Sequence, residues 1–476
     1  MRTSTSLLLL GAALVSAPLA AQETTVASAA TGSKDTTAVV ADSTKAKAAA
    51  TEEKSGVTIS VVPTIEIQHL RANDQRGLNV FEAPKTDSVP YRGFKLNFGA
   101  AFTQQFQGLG HSNTAAPVTK TDAAGKPYNA NQLIQFGHGF NNAVANLYVN
   151  AQLAKGIRVA MTSYLSARHH NETWVKDGYL QIDDSPLDVA PLVTLMRYTT
   201  VKAGHFEINY GDGHFRRTDN GNSMYNPLVG NYILDAFTTQ VGGEVYLRGR
   251  GRLDGLFAMG GMTNGEVRGT ILNPTKRSPA YLTKVGLDRQ LSQDLRVRLT
   301  GSSFAQAKAN SQTLYSGDRA GSRYYDVLEN TQSTESANFT SGALNPGFNE
   351  LHAVAVNPFV KFRGLELFGQ FERARGKAVT EAVRRDLTQT VVEGTYRLFG
   401  DRLYASARRN TVDGRLAGIA NDVSVGRTQV GGGWFLNPLI LLKAEWVTQQ
   451  YRDFPATDIR NGGNFKGFVI EGGVAF

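Results

Sequence analysis

The side chains able to do chemistry are scattered rather than gathered into a motif. The 476 residues contain no Cys, which excludes a thiol nucleophile, a Cys-ligated zinc site, an iron–sulfur cluster and a disulfide framework. There is no GxxxxGK(S/T), HExxH or GxSxG run to cradle a phosphate, bind zinc or present a nucleophilic serine. His169-His170 has metal-ligand chemistry, but adjacent residues on a strand point to opposite faces and do not readily chelate together. The segment 211–226 carries Asp212, Arg216, Arg217, Asp219, Asn220 and Asn222, at a spacing unlike that of an EF-hand loop. No catalytic group, metal or cofactor is expected, and the protein is not read as an enzyme.

What the sequence offers instead is charge at regular intervals. Lys95, Arg158, Arg168, Lys284, Arg296, Arg298, Arg397, Arg408, Arg427 and Lys443 fall on the polar parity of alternating segments. So do Asp177, Glu207, Asp288, Glu366, Glu372, Glu393, Glu445 and Glu471. An Arg or Lys facing lipid at mid-membrane costs about 2–4 kcal/mol, so these positions are expected to line a lumen. Most should pair with one another. With 50 Lys+Arg against 41 Asp+Glu and a net charge of +9, at most a weak anion preference is expected. The positive charge is dispersed over strands, which argues against a nucleic-acid partner.

The elements that must hold these residues follow a period of two. Phe94, Leu96, Phe98, Ala100 and Phe102 alternate with Lys95, Asn97, Gly99, Ala101 and Thr103, and Leu295, Val297 and Leu299 alternate with Arg296, Arg298 and Thr300. Tight turns at 154–156, 248–251, 291–294, 362–364, 399–401 and 436–438 alternate with longer loops at 108–139, 210–241, 263–279, 307–349, 375–387, 411–422 and 451–464. No run approaches the ~20 apolar residues of a membrane helix. The pattern predicts an all-β fold, a transmembrane antiparallel barrel with short periplasmic turns and long extracellular loops. Strands are expected to start near 92, 140, 157, 174, 200, 242, 253, 280, 295, 350, 365, 388, 402, 423, 439 and 465, about 16 in all. Adding 57–70 and one further strand gives the alternative of 18. About 16 strands enclose a water-filled lumen. Trp434, Trp446 and Tyr396 take outward parity and read as an interfacial girdle facing outer-membrane lipid.

The N-terminus sets the compartment. Arg2, an apolar core at 7–15 and the small residues at 16–21 read as a signal peptide over 1–21. Residues 22–56, rich in Ala, Thr, Ser, Lys and Asp, read as a low-complexity disordered linker. The barrel unit is expected to span 57–476, with 57–90 a lead-in segment in the periplasm or pairing at the barrel base. The localisation read from these features is the cell outer membrane.

Two stretches carry a family resemblance. One is Arg76-Gly77-Leu78-Asn79-Val80-Phe81-Glu82-Ala83-Pro84-Lys85 with Gly93-Phe94-Lys95-Leu96-Asn97-Phe98-Gly99; the other runs from 175–182 into Val201-Lys202-Ala203-Gly204-His205-Phe206-Glu207-Ile208-Asn209-Tyr210-Gly211. Both resemble the phosphate-selective porin-like family of bacterial outer-membrane porins, although Asn209-Tyr210 stands where that family has Pro-Phe. The resemblance implies a 16-stranded diffusion porin, a homotrimer; it does not carry phosphate selectivity over, and the modest basic excess makes small polar or weakly anionic solutes the expected cargo. The loop 210–241 is expected to fold inward and constrict the pore, with Arg216 and Arg217 facing Asp212 and Asp219. The loop 307–349, with Asp318, Arg319, Arg323, Tyr324 and Tyr325, is the competing candidate. A non-transporting surface barrel, an adhesin or structural component, is the alternative function.

The chain ends Gly473-Val474-Ala475-Phe476, with Phe468, Ile470, Val474 and Phe476 on one face. The resemblance to outer-membrane barrels implies that this aromatic end is read by the barrel-assembly machinery. Deleting Phe476 should lower the yield of heat-modifiable barrel while leaving export intact. Normal barrel yield would contradict this role.

Overall fold

A computed structural model describes residues 62–82, 85, 89–167, 172–265 and 275–476. The signal peptide, the linker, and Arg168, His169 and His170 lie outside the described residues. Sixteen antiparallel strands close into a barrel. They are β1 (Lys95–Ser112), β2 (Val144–Ala154), β3 (Ile157–Ser166), β4 (Trp174–Ile182), β5 (Thr199–Glu207), β6 (Thr239–Arg248), β7 (Leu256–Thr263) and β8 (Ala280–Gln290). The second half is β9 (Leu295–Gln306), β10 (Glu350–Phe362), β11 (Leu365–Lys377), β12 (Arg385–Leu398), β13 (Leu403–Gly414), β14 (Val423–Asn437), β15 (Ile440–Arg452) and β16 (Asn464–Ala475). Every strand start lies within four residues of its expected position.

Closure is made by β1, which pairs with β2 on one side and, from Ala101↔Ala475 to Ser112↔Asn464, with β16 on the other. Among the described residues every strand of the barrel has a neighbour on both sides, as an environment without water requires. Outward positions are apolar and exposed, among them Phe98, Met161, Leu247, Leu299, Leu367 and Ile470. Such a belt suits hydrocarbon rather than water. Trp434 and Tyr396 also point outward near the short-turn rim, but Trp446 sits at the middle of β15, which corrects its expected place at a strand end.

The start of the described N-terminal segment, the end of β16 and the tight turns share one rim. The β4–β5 connection is an exception in length: it carries a helix, Ala190–Met196, which opens at a Pro and which the strand pattern did not signal. The other rim carries the long loops.

The lumen is not the open, water-filled space expected. Three segments pack inside it: 62–82, 208–238 and 309–348. The first enters at the short-turn rim, where Gln75 donates from its backbone N–H to Pro438 O at 3.0 Å and from Nε2 to Asp401 O at 3.0 Å. It is not a seventeenth strand; β1 and β16 already satisfy each other's ladders, so 62–82 is held by side chains and by bonds to turn residues such as Pro438 and Asp401. Gly221 of the second segment lies so close to β2 that a Cβ would come within 2.6 Å of the Ala145 backbone. Where the second and third segments touch, a Cβ on Gly230 would fall 2.0 Å from Tyr324 Oη.

These placements generate a labelling pattern. Arg296 is a quarter exposed at the short-turn rim, Val297 points outward, and Arg298 is 1% exposed beneath Glu82 and Asp212. Single cysteines can be read cleanly in a chain without any. A water-soluble thiol reagent should modify Arg296→Cys quickly in the micelle-embedded barrel, and both Val297→Cys and Arg298→Cys slowly. Fast labelling at 298 would contradict the covering by the inserted segment, and fast labelling at 297 would contradict the register.

Candidate functional site

The inner wall divides into two sectors. Along β10–β16 its charged residues are buried against the inserted segments. Arg216 donates to Glu393 at 2.7 Å and lies 3.4 Å from Glu366, whose further partners are Arg397 at 2.9 Å, Asn79 Nδ2 at 2.5 Å and Lys361 at 3.5 Å. Arg408 bonds Glu393 at 2.5 Å. Lys443 bonds Glu471 at 3.0 Å and caps the carbonyls of Ser223, Asn226 and Leu228. Glu471 also receives Arg323. Glu445 accepts from the Val229 N–H at 2.8 Å and from Tyr324 Oη, Arg427 donates to Gly342 O at 2.6 Å, and Glu372 accepts from Tyr315 at 2.7 Å.

Arg216 and Arg217 therefore do not face Asp212 and Asp219 across a passage. Arg217 is fully buried between Asp235 at 2.7 Å and Asp318 at 2.8 Å, which ties the 208–238 segment to the 309–348 segment. Burial disfavours the charge on Arg216 and Arg217, but the adjacent carboxylates outweigh it and raise both above the ordinary arginine range.

Asp212 turns instead to β8 and β9, where Lys284 lies at 2.7 Å and Arg298 at 2.8 Å. Glu82 of the N-terminal segment joins the same two cations at 2.9 and 2.8 Å. Burial raises both carboxyls, yet Lys284 and Arg298 outweigh it and hold Glu82 well below the usual range and Asp212 below it. Arg296 pairs with Asp288 at 2.7 Å, and Lys95 lies 3.3 Å from Glu66 at the rim.

The second sector, β2–β9, keeps space. A cavity of about 240 Å³ lies between its wall and the inserted segments. A second, of about 370 Å³, opens at the short-turn rim, and Phe81, Glu82 and Arg248 line both. Five Lys or Arg and four Asp or Glu line the inner one; among the cations, Arg158 and Lys202 come from the wall and Arg71 from the N-terminal segment. Among the described residues none of these three has a carboxylate within ion-pair distance. Lys176 is the exception, held by Glu207 at 2.7 Å and Asp219 at 2.5 Å, and His214 bonds Glu207 at 2.6 Å. In the rim cavity, burial lowers Lys85 to about 8 despite the raising effect of Asp183.

Simple parity misses Lys176 and Lys202. At the β3–β4 pairing the register shifts between Thr162 and Ser163, a bulge that turns Lys176 inward along with Asp177. Gly204, at φ +137°, breaks the alternation of β5, so that Lys202 and Glu207 reach the same cavity from opposite parities. The bulge has no sequence signature; Gly204 was a visible signal. Among the described residues no cluster of three His, Asp or Glu is arranged to hold a metal.

No family model matches the chain, and no curated protein matches it. Solved structures similar to it include an anion-selective porin from Comamonas acidovorans, at 11% identity over 80% of this chain and 100% of that one, TM-score 0.46. The outer membrane channel DcaP of Acinetobacter baumannii is similar at 9% identity over 81% and 98%, TM-score 0.45. OmpT, an outer membrane protein of Vibrio cholerae, is similar at 10% identity over 82% and 99%, TM-score 0.45.

The Arg217 bridge can be broken from one side. Arg217→Met leaves Asp235 and Asp318 buried without their shared cation, a loss of about 3–5 kcal/mol for a buried pair. Limited proteolysis of the folded barrel should then cut within 208–238 or 309–348, where the parent protein resists. Unchanged resistance would contradict the bridge's role.

Proposed function

We propose that the protein is an outer-membrane porin for small polar or weakly anionic solutes, with a route confined to one side of the lumen. The observation that carries this reading is the pair of adjoining cavities along β2–β9, the inner one lined by Arg71, Arg158 and Lys202, which have no carboxylate partner among the described residues. A cation in a narrow, partly desolvated passage acts on a passing ion far more strongly than one in bulk salt, where screening is nearly complete within about 8–10 Å. The wall charges of β10–β16 stabilise the inserted segments rather than meeting solute. Membership of the phosphate-selective porin-like family, a homotrimeric state and delivery by the assembly machinery through Phe476 belong to the same proposal.

The buried ion pairs that fill the β10–β16 side favour a second reading, a closed surface barrel that does not transport. Planar-bilayer recording separates the two. Purified full-length protein should give discrete ohmic steps of small size, with a reversal potential favouring anions under a salt gradient. Silent but correctly folded barrels would favour the second reading.

The rim cavity adds a pH dependence. Lys85 is charged below about pH 8 and neutral above it. Because its folded pKa lies below that of an unfolded lysine, its burial costs stability at lower pH, and the cost fades as pH rises through this value. Anion preference should weaken as pH rises through about 8, and Lys85→Arg should abolish that change. A reversal potential insensitive to pH in the parent protein would remove Lys85 from the route.

A further inference from the structure

We infer that the inner cavity is a seat for a small hydroxylated carboxylate, its carboxylate on Arg158 and a hydroxyl on Asp177; this rests on the porin reading above. Arg158 is 5% exposed, and only its Nη2 has a protein partner, Gln181 Oε1 at 2.7 Å; Nε and Nη1 have none. A charged donor left unmatched in a buried site fits an anionic oxygen; Nε and Nη1 lie on different edges of the guanidinium, so a carboxylate meets them singly, through one oxygen. Asp177 is 6% exposed and its Oδ1 has no partner, so it calls for a donor. Both residues line the cavity, with Tyr179 between them on β4.

Geometry sets the ligand's shape. Arg158 faces Gln181 across the β3–β4 pairing, and Asp177 lies four residues earlier on β4. At about 3.3 Å per residue that is roughly 13 Å of backbone, shortened by the reach of the arginine side chain. A ligand touching both ends must be several bonds long. A compact ion such as inorganic phosphate can meet Arg158 but cannot also reach Asp177. The volume of about 240 Å³ suits a solute below drug size. Charge sets its sign: Lys202 donates only to Glu207 O at 3.3 Å, and Arg71 only to the carbonyls of Gly77 and Phe215. Over the whole lining five Lys or Arg stand against four Asp or Glu, an excess of one positive charge, so a net negative solute is preferred.

Titration calorimetry on the detergent-solubilised full-length protein tests this, with sodium D-gluconate, sodium propionate and inorganic phosphate as probes at fixed ionic strength. Gluconate should bind saturably and more tightly than the other two. Arg158→Gln should weaken gluconate by about tenfold or more. Asp177→Ala should weaken gluconate while leaving propionate unchanged or tighter, since it removes a negative charge. That opposition of effects decides the matter even if the arginine variant fails to fold. No saturable gluconate binding, phosphate binding tighter than gluconate, or gluconate and propionate changing in the same direction in Asp177→Ala would overturn the seat. Bilayer steps without gluconate binding overturn the seat and leave the channel reading standing. Gluconate binding by a barrel silent in bilayers does the reverse.

Discussion

A wide barrel must neutralise the charges on its own inner wall, and the rest of this structure depends on how that is done. Inward positions on β8–β16 carry Lys284, Arg298, Glu366, Glu393, Arg408, Lys443, Glu445 and Glu471, all almost wholly buried. A buried charge without a partner costs several kcal/mol. Their partners come both from neighbouring strands and from chain segments that enter the lumen: Glu82 and Asp212 for the cations of β8 and β9, Arg216 and Arg323 for the acids beyond. Hydrophobic packing completes the filling, as where Phe81 meets Phe215 and Phe359 edge-on at 5.6 and 5.4 Å.

The filling is lopsided, and the lopsidedness leads to the functional reading. The inserted segments lean on the β10–β16 wall, which meets them with ion pairs such as Arg216–Glu393 and Arg323–Glu471 and with buried hydrogen bonds such as Arg427 to Gly342 O. They leave space against β2–β9, where Arg158 and Lys202 have no carboxylate partner among the described residues. A solute would then travel beside a packed core rather than along a central axis. Arginines that pair with the packed side hold the inserted segments in place; the cations that remain beside the space give it its sign.

The barrel was legible in the sequence because its rules are local. Alternation of Leu295, Val297 and Leu299 with Arg296, Arg298 and Thr300 needs only one strand to be read, and tight turns such as 362–364 mark the rim. The pairing of charges was not legible. Arg216 and Glu393 are 177 residues apart, and nothing in either neighbourhood names the other. The inward fold of the 210–241 loop is legible in its length and its glycines, but nearness in sequence points Arg216 and Arg217 to Asp212 and Asp219. The lumen offered better-placed partners. The entry of 62–82 was missed because its alternation imitates a strand while its function is to present Asn79, Phe81 and Glu82 to the wall. Lys176 was missed because a bulge suspends the parity rule.

The central claim is that the inserted segments are as much a part of the folded barrel as its strands. Amide hydrogen exchange on the intact protein in micelles, read by peptide, tests it most directly. Peptides within 62–82 and 208–238 should exchange on the slow timescale of β10–β16. Exchange of those peptides as fast as that of the exposed 378–384 loop, with the strands still protected, would contradict it.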